Sequence, residues 1–296
     1  MKARSLIVIL GLFVLLTQSL LGWGLDTHRY ITERAIRLLP ASIRPFFEKY
    51  QAFVVEHSVD PDLWRSVGFT EELPRHFLDL DAYGTYPFLE LPRDYNAAVK
   101  KFGREKVDKN GQLPWRTAEM FDQLVKAFEN QKTGTAPYVL DEIKLFSAVI
   151  AHYVSDAHVP FHAVTNYDGQ LTNQQGIHTR WETELFLRYR DRLSIRPSSP
   201  VSILNPRDFI FEALRASFQD VESILKADRK AAAGHQEYDD SYFEKFFTRT
   251  RPTLEHELSQ SITAVASTIA SAWERAGKPK LPSEFGQPPH KILRQP

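Results

Sequence analysis

Residues 145–182 bring His152, Asp156, His158, His162, His178 and Glu182 into fewer than forty positions, in a chain with ten histidines. The pairs His152/Asp156 and His178/Glu182 are each spaced four apart, which on a helix puts both side chains on one face, a turn apart. A neutral imidazole and a carboxylate converging there offer nitrogen and oxygen donors suited to zinc. Spacing alone does not establish such a site. Asp plus Glu make about one residue in eight, so ten histidines give about one His-x-x-x-Asp/Glu pair by accident. The chain has three; the third, His235/Asp239 in AAAGHQEYDD, reads as a solvated acidic cluster. There is no cysteine, so disulfide staples are excluded and any metal has to be held by His, Asp, Glu or backbone groups.

The order of the candidates carries more than any pair. It runs Trp23, His28, Asp62, His76, His152, Asp156, His162, His178, Glu182. In this order the chain resembles the zinc-dependent phospholipase C / P1–S1 nuclease superfamily, all-α secreted enzymes with a cluster of three zinc ions and a mature chain that begins with tryptophan. The segment HYVSDAHVPFHA is similar to the family's His-x-x-x-Asp-x-x-x-Pro-x-His. The resemblance implies one zinc on Asp62, His76, His152 and Asp156, and a second on His162, His178 and Glu182 with a water. It implies a third on the amino nitrogen and carbonyl oxygen of Trp23, His28 and the other oxygen of Asp156. Asp60 is the alternative to Asp62; the SVDPD run resembles the family's segment ending in Pro-Asp, which favours Asp62. His158 lies off the ligand face and reads as structural, and Asn166 reads as a brace behind the ligands.

Three zinc ions around one cleft suit phosphodiester hydrolysis. The expected nucleophile is a hydroxide shared by the first two metals, attacking phosphorus in line while the metals offset charge on the other oxygens. Asp62 and Asp156 are the expected catalytic carboxylates, the first orienting the water and the second serving two metals. The expected substrate is a phospholipid, cut as by a phospholipase C. Single-stranded nucleic acid is the alternative, and a non-catalytic secreted metal-binding protein is a second one. Glu182 and the lack of cysteine resemble the phospholipase branch, whereas the Trp23-x4-His28 spacing resembles the nuclease branch. A formal net charge of +0 recommends no polyanionic partner. No obligate protein partner is evident, and a transient membrane-surface contact accompanies the lipid reading. Trp64, Phe77, Tyr83, Tyr86 and Phe88 are candidates to line the substrate pocket. The aromatic run from Tyr242 to Phe247 reads as the core face of a helix, with a membrane-touching patch as the sharper alternative.

The elements that position these residues are helical. With 43% hydrophobic and 25% charged residues, the 296-residue chain is long enough to bury a sizeable core. Residues 1–22 have a basic start and an apolar run, read as a secretory signal peptide cleaved before Trp23, with an uncleaved membrane anchor as the alternative. The expected location is therefore secreted or periplasmic. Residues 23–277 read as one all-α, multi-helix domain holding a trinuclear zinc cleft. Helical periodicity marks about 26–39, 42–57, 93–103, 114–131, 139–159, 178–193, 205–231 and 239–276, with Pro40 and Pro160 as stops. Residues 58–94, with prolines at 61, 74, 87 and 92, read as a long ordered loop. Residues 278–296 read as a loose, proline-rich tail.

Overall fold

The computed structural model describes residues 23–134 and 138–282. The signal-peptide reading of residues 1–22 falls outside them, as does most of the tail. Among the described residues there is no strand. The first helices are α1 (Leu25–Leu38), α2 (Arg44–Lys49), α3 (Gln51–Glu56) and α4 (Asp60–Ser66). Then come α5 (Tyr95–Phe102), α6 (Arg104–Lys109), α7 (Leu113–Thr133) and α8 (Val139–Asp156). The rest are α9 (Ile177–Thr179), α10 (Leu185–Tyr189), α11 (Pro206–Phe218), α12 (Val221–Ala232) and α13 (Asp240–Arg275).

The centre is α8. From Ser147 to Asp156 every residue is buried, the signature of a helix packed on all sides. It packs on α7 and α13, and α1 covers its C-terminal half, while α11 and α12 close around α7 and α13. Pro160 ends α8 at Asp156 as expected, and His162 follows in a separate 3-10 turn, Pro160–Ala163. The Tyr242–Phe247 aromatics are buried in α13, so that run is core.

Three expectations need correction. Residues 58–94 are not one irregular loop. Pro61 stands in the first turn of α4, where its missing N–H costs nothing, and 3-10 turns follow at Thr70–Arg75 and Leu80–Tyr83. The 205–231 helix is broken into α11 and α12 around Gln219 and Asp220. Finally, the tail does not begin loose: Leu281 is buried, and the Trp273 indole donates to the Pro279 carbonyl, because the apolar end of α13 needs a cover.

Residues 194–203 show how an extended segment is held without a sheet. Their backbone N–H groups donate to Glu255, Ser259, Thr263, Ser267 and Ser271, acceptors placed every fourth residue along α13.

The approach to His178 is fixed by a buried ion pair. The Arg180 guanidinium lies 3.1 Å from Asp228 and donates to the carbonyls of Gln174 and Gln175, while the Tyr242 hydroxyl donates to Asp228. Both charged side chains are nearly inaccessible, 7% and 2% exposed. Removing one partner strands the other charge in the core. The Asp228→Ala protein is therefore expected to lose about 3–5 kcal/mol, read as a shifted urea midpoint with an unchanged slope. A loss under about 1 kcal/mol would show that the pair does not hold this segment.

Candidate metal centre

Four elements bring the polar groups together. Asp62 comes from the first turn of α4, where the N-terminal end of the helix favours a carboxylate. His76 follows the 3-10 turn after it. His152 and Asp156 share a face of α8, and His28 reaches across from α1. All five are buried.

Asp156 is the hub. One carboxylate oxygen lies 3.0 Å from His76 Nδ1 and 3.3 Å from His152 Nε2. The other lies 3.4 Å from His28 Nε2 and 3.8 Å from His162 Nδ1. Because Asp156 ends α8, its charge sits at the helix's negative pole and needs positive partners to be tolerated. The other face of the centre is a helical turn of π geometry, Arg180–Glu184, that places Glu182 Oε2 3.0 Å from His178 Nε2. Such turns recur at functional sites because they re-aim side chains within a helix. Gly24 lets the N-terminal segment approach this turn: a Cβ there would fall 2.6 Å from the Thr183 hydroxyl oxygen.

Three buried groups of side chains are able to hold a metal ion: His28/His152/Asp156, Asp62/His76/His152 and His162/His178/Glu182. The orientation of the histidines supports this. His152 Nδ1 donates to the Ser58 carbonyl, and His28 Nδ1 donates to the Ser155 hydroxyl, itself turned toward the His152 carbonyl. Each hydrogen bond fixes the tautomer that leaves Nε2 free to ligate. A second observation is independent of the first. Both oxygens of Asp62 and of Glu182, both ring nitrogens of His178, His28 Nε2, His162 Nδ1 and Asp156 Oδ1 are buried without a hydrogen-bond partner. Buried polar atoms normally have one, and their collection in one place, as imidazole and carboxylate donors, fits zinc.

The electrostatics point the same way. Burial and the neighbouring His152 lower His28, burial and His178 lower His162 to about 3, and burial lowers His178 to about 4. All three imidazoles are neutral near pH 7, the form that binds metal. Burial alone would lower His152, but the Asp156 and Asp62 carboxylates raise it to about 9. Burial, then the charges of Asp156 and Asp62, raise Glu182 well above its ordinary value. For Asp156 burial acts upward, yet His152 and His162 hold it well below the usual carboxylate range. Carboxylates crowded in this way need divalent counter-charge.

Of the two loop aspartates, Asp60 pairs with His57 at 2.7 Å, whereas Asp62 faces His76 and His152. His158 lies 3.4 Å from Glu257, outside all three groups. Asn166 accepts from the Leu171 N–H and donates to Thr172, bracing the loop before His178. Trp23 is fully buried, its ring against Trp181 and its indole donating to the Ser155 carbonyl between the two α8 candidates.

A cavity of about 440 Å³ opens onto the centre, reaching His76, His162 and His178. Phe77 lines it, together with Leu73, Phe161 and Leu171. The other aromatic candidates do not: Tyr83 packs on Phe102, Phe88 on Phe218 and Tyr86 on Phe88, while Trp64 borders a neighbouring recess. Asp79 is the residue whose role the sequence does not reveal. It lines the cavity, and burial together with Asp81 raises it to about 7. Asp81 itself accepts from Thr165 and ties the two loops of the cavity wall together. Gly111 closes the back of the wall, at φ +95, where a Cβ would fall 2.1 Å from the Phe77 carbonyl oxygen.

No curated protein matches the chain at a significant level. The sequence model of the zinc dependent phospholipase C family matches residues 27–255, which is well over half of the chain and spans every candidate ligand except Trp23. The chain thus belongs to the zinc-dependent phospholipase C family: it is an all-α, zinc-dependent hydrolase of phosphodiesters whose family substrate is a phospholipid.

Proposed function

We propose that the protein cuts the glycerol-side phosphodiester bond of a phospholipid, releasing diacylglycerol and a phosphorylated head group. The observation that carries this reading is the cavity. It joins three of the buried histidines to an apolar wall and to two cations, Arg65 and Lys109. An apolar wall suits the acyl-glycerol side of the substrate, and the cations suit its phosphate.

The proposed ligands are Asp62, His76, His152 and Asp156 for one zinc, His162, His178 and Glu182 for a second, and Trp23, His28 and Asp156 for the third. Bound zinc supplies Lewis acidity, which acidifies water and offsets charge on phosphoryl oxygens. Besides ligating zinc, Asp62 would orient the attacking water or accept its proton, a reading supported by its two buried oxygens, both free of hydrogen bonds. Arg65, 3.4 Å from Asp62, adds positive charge beside the phosphate. Asp79, raised to about 7, carries only part of its negative charge near neutral pH, which lessens its repulsion of the incoming phosphate. The water oxygen bonds to phosphorus, the phosphorus–glycerol bond breaks, and the glycerol oxygen takes a proton. Secretion, with cleavage before Trp23, belongs to this proposal. It is supported by the composition of residues 1–22 and by the burial of Trp23 beside the centre. Among the described residues no helix is long and apolar enough to cross a membrane.

Parallel assays on phosphatidylcholine and single-stranded DNA, each with a chelator control, test the substrate. Release of phosphocholine, abolished by chelation, is expected. Cleavage of the DNA with the lipid left intact would move the protein to the nuclease branch.

A further inference from the structure

From Leu63 to Leu73 the surface departs from the rest of the molecule. Leu63 is 45% exposed, Val67 75%, Phe69 60% and Leu73 36%. The other exposed residues of this stretch are Ser66, Gly68, Thr70 and Glu71, so one charge stands among eight exposed positions in a chain that is 25% charged. Leu63 and Val67 lie one turn apart around α4, and Phe69 begins the 3-10 turn that ends just before His76. Gly68, at the tip, has nothing within 4 Å of its Cβ position. Across the cavity, Leu171 is 71% exposed. Leu73 and Leu171 both line the cavity that reaches His76, His162 and His178.

We propose that this rim is the surface by which the enzyme docks on a zwitterionic phospholipid bilayer, with Val67 and Phe69 dipping into the head-group layer. The proposal rests on the phospholipid reading of the site. It commits to a bilayer because the apolar patch is continuous with the mouth through which the substrate must enter. A cavity of about 440 Å³ matches a small-molecule site and not the two acyl chains of a lipid, which remain in the membrane during the reaction. The phosphodiester lies at head-group depth, and apolar side chains seated about 5–10 Å into that layer bring the cavity mouth level with it. A protein partner or second copy bound here would cover the entrance. The single charge, and an acidic one, among the exposed residues of 63–73 favours zwitterionic lipid over an acidic surface, which would call for a basic cluster.

The Val67→Ser/Phe69→Ser double variant tests the proposal, because both side chains are exposed and neither lines the cavity. Partition onto vesicles of a non-hydrolysable phosphonate analogue of phosphatidylcholine is expected to fall by about tenfold or more. Turnover of phosphatidylcholine vesicles should fall by a similar factor, while turnover of water-soluble p-nitrophenyl phosphorylcholine stays within about twofold. Leu204→Ser is the control: Leu204 is 87% exposed, and its carbonyl accepts from Arg275, about 27 Å along α13 from the Glu257 that meets His158. It should leave partition unchanged. Unchanged partition of the double variant, an equal loss in the Leu204 control, or a wild-type dimer that the double variant dissociates would each overturn the docking assignment. If the wild type hydrolyses neither substrate, the phospholipase reading fails, and partition onto the analogue vesicles still decides the docking surface.

Discussion

The Asp156→Asn protein is expected to retain about one zinc ion and to lose activity by well over about 100-fold. Asp156 is the one carboxylate that faces His28, His76, His152 and His162 at once. Replacing an oxygen by an amide N–H₂ at the hub turns an acceptor into a donor that cannot ligate. Mutations of groups that merely orient a ligand already cost about 10–100-fold, so the loss of a shared ligand should exceed that range. The His162/His178/Glu182 group does not include Asp156 and should keep its metal. His158→Ala is the matched control, two residues away, buried and paired with Glu257 instead of the centre. It should lose some stability and little zinc. Zinc content by atomic emission, read with turnover for both variants, decides the matter. Equal losses would remove Asp156 from the centre.

How far the centre was legible from sequence depends on what kind of interaction fixes each residue. Periodicity found α1, α7, α8 and α13 because each buries a regular apolar face, and Pro160 ended α8 where a missing donor had to end it. The α8 candidates were visible for the same reason, since helical spacing already determines that His152 and Asp156 share a face. Helix α4 was hidden because seven residues carry too little periodicity and because proline reads first as a breaker, though at Pro61 it is a starter. The π turn around Glu182 was equally invisible: one extra residue per turn is set by packing against Trp23 and Gly24, not by local preference. Asp79 was one of nine acidic or histidine residues in the segment 58–94, and only the fold separates them. Asp60 turns to His57, Asp81 to Thr165, and Asp79 into the cavity. The ladder of hydroxyls on α13 could be seen as a four-residue spacing, yet nothing in the sequence says that its partner is the extended segment 194–203.

Removing zinc is expected to destabilise the protein most strongly at alkaline pH, and the sign follows from the histidines. Ligands at about 1,000 times their dissociation constant stabilise a fold by about 4 kcal/mol, so chelation alone should lower the melting temperature by several degrees. Its pH dependence is more informative. In the metal-free protein, His162 and His178 have folded values of about 3 and about 4 against an ordinary 6.5. The unfolded chain therefore binds more protons between those limits, and the apo fold weakens as pH falls below 6.5. His152 works in the opposite sense. Its folded value of about 9 means that the fold keeps a proton the unfolded chain releases, so this stabilisation is full below 6.5 and is lost as pH rises to 9. Glu182, also raised, adds to the loss at rising pH. The apo protein should thus be most stable near neutrality. Zinc must displace the His152 proton at pH 7 but only about half of it at pH 9, so metal affinity gains up to about one power of ten per pH unit across that interval. The gap in melting temperature between zinc-loaded and chelated protein should widen from pH 7 to pH 9 and narrow toward pH 5, where zinc still has to displace the His152 proton. Calorimetric titration of zinc into apo protein at pH 7, in buffers of different ionisation enthalpy, should report net proton release, about one proton from His152 with a further contribution from the raised Glu182. A constant gap between pH 7 and pH 9, with no proton released, would mean that His152 does not hold metal.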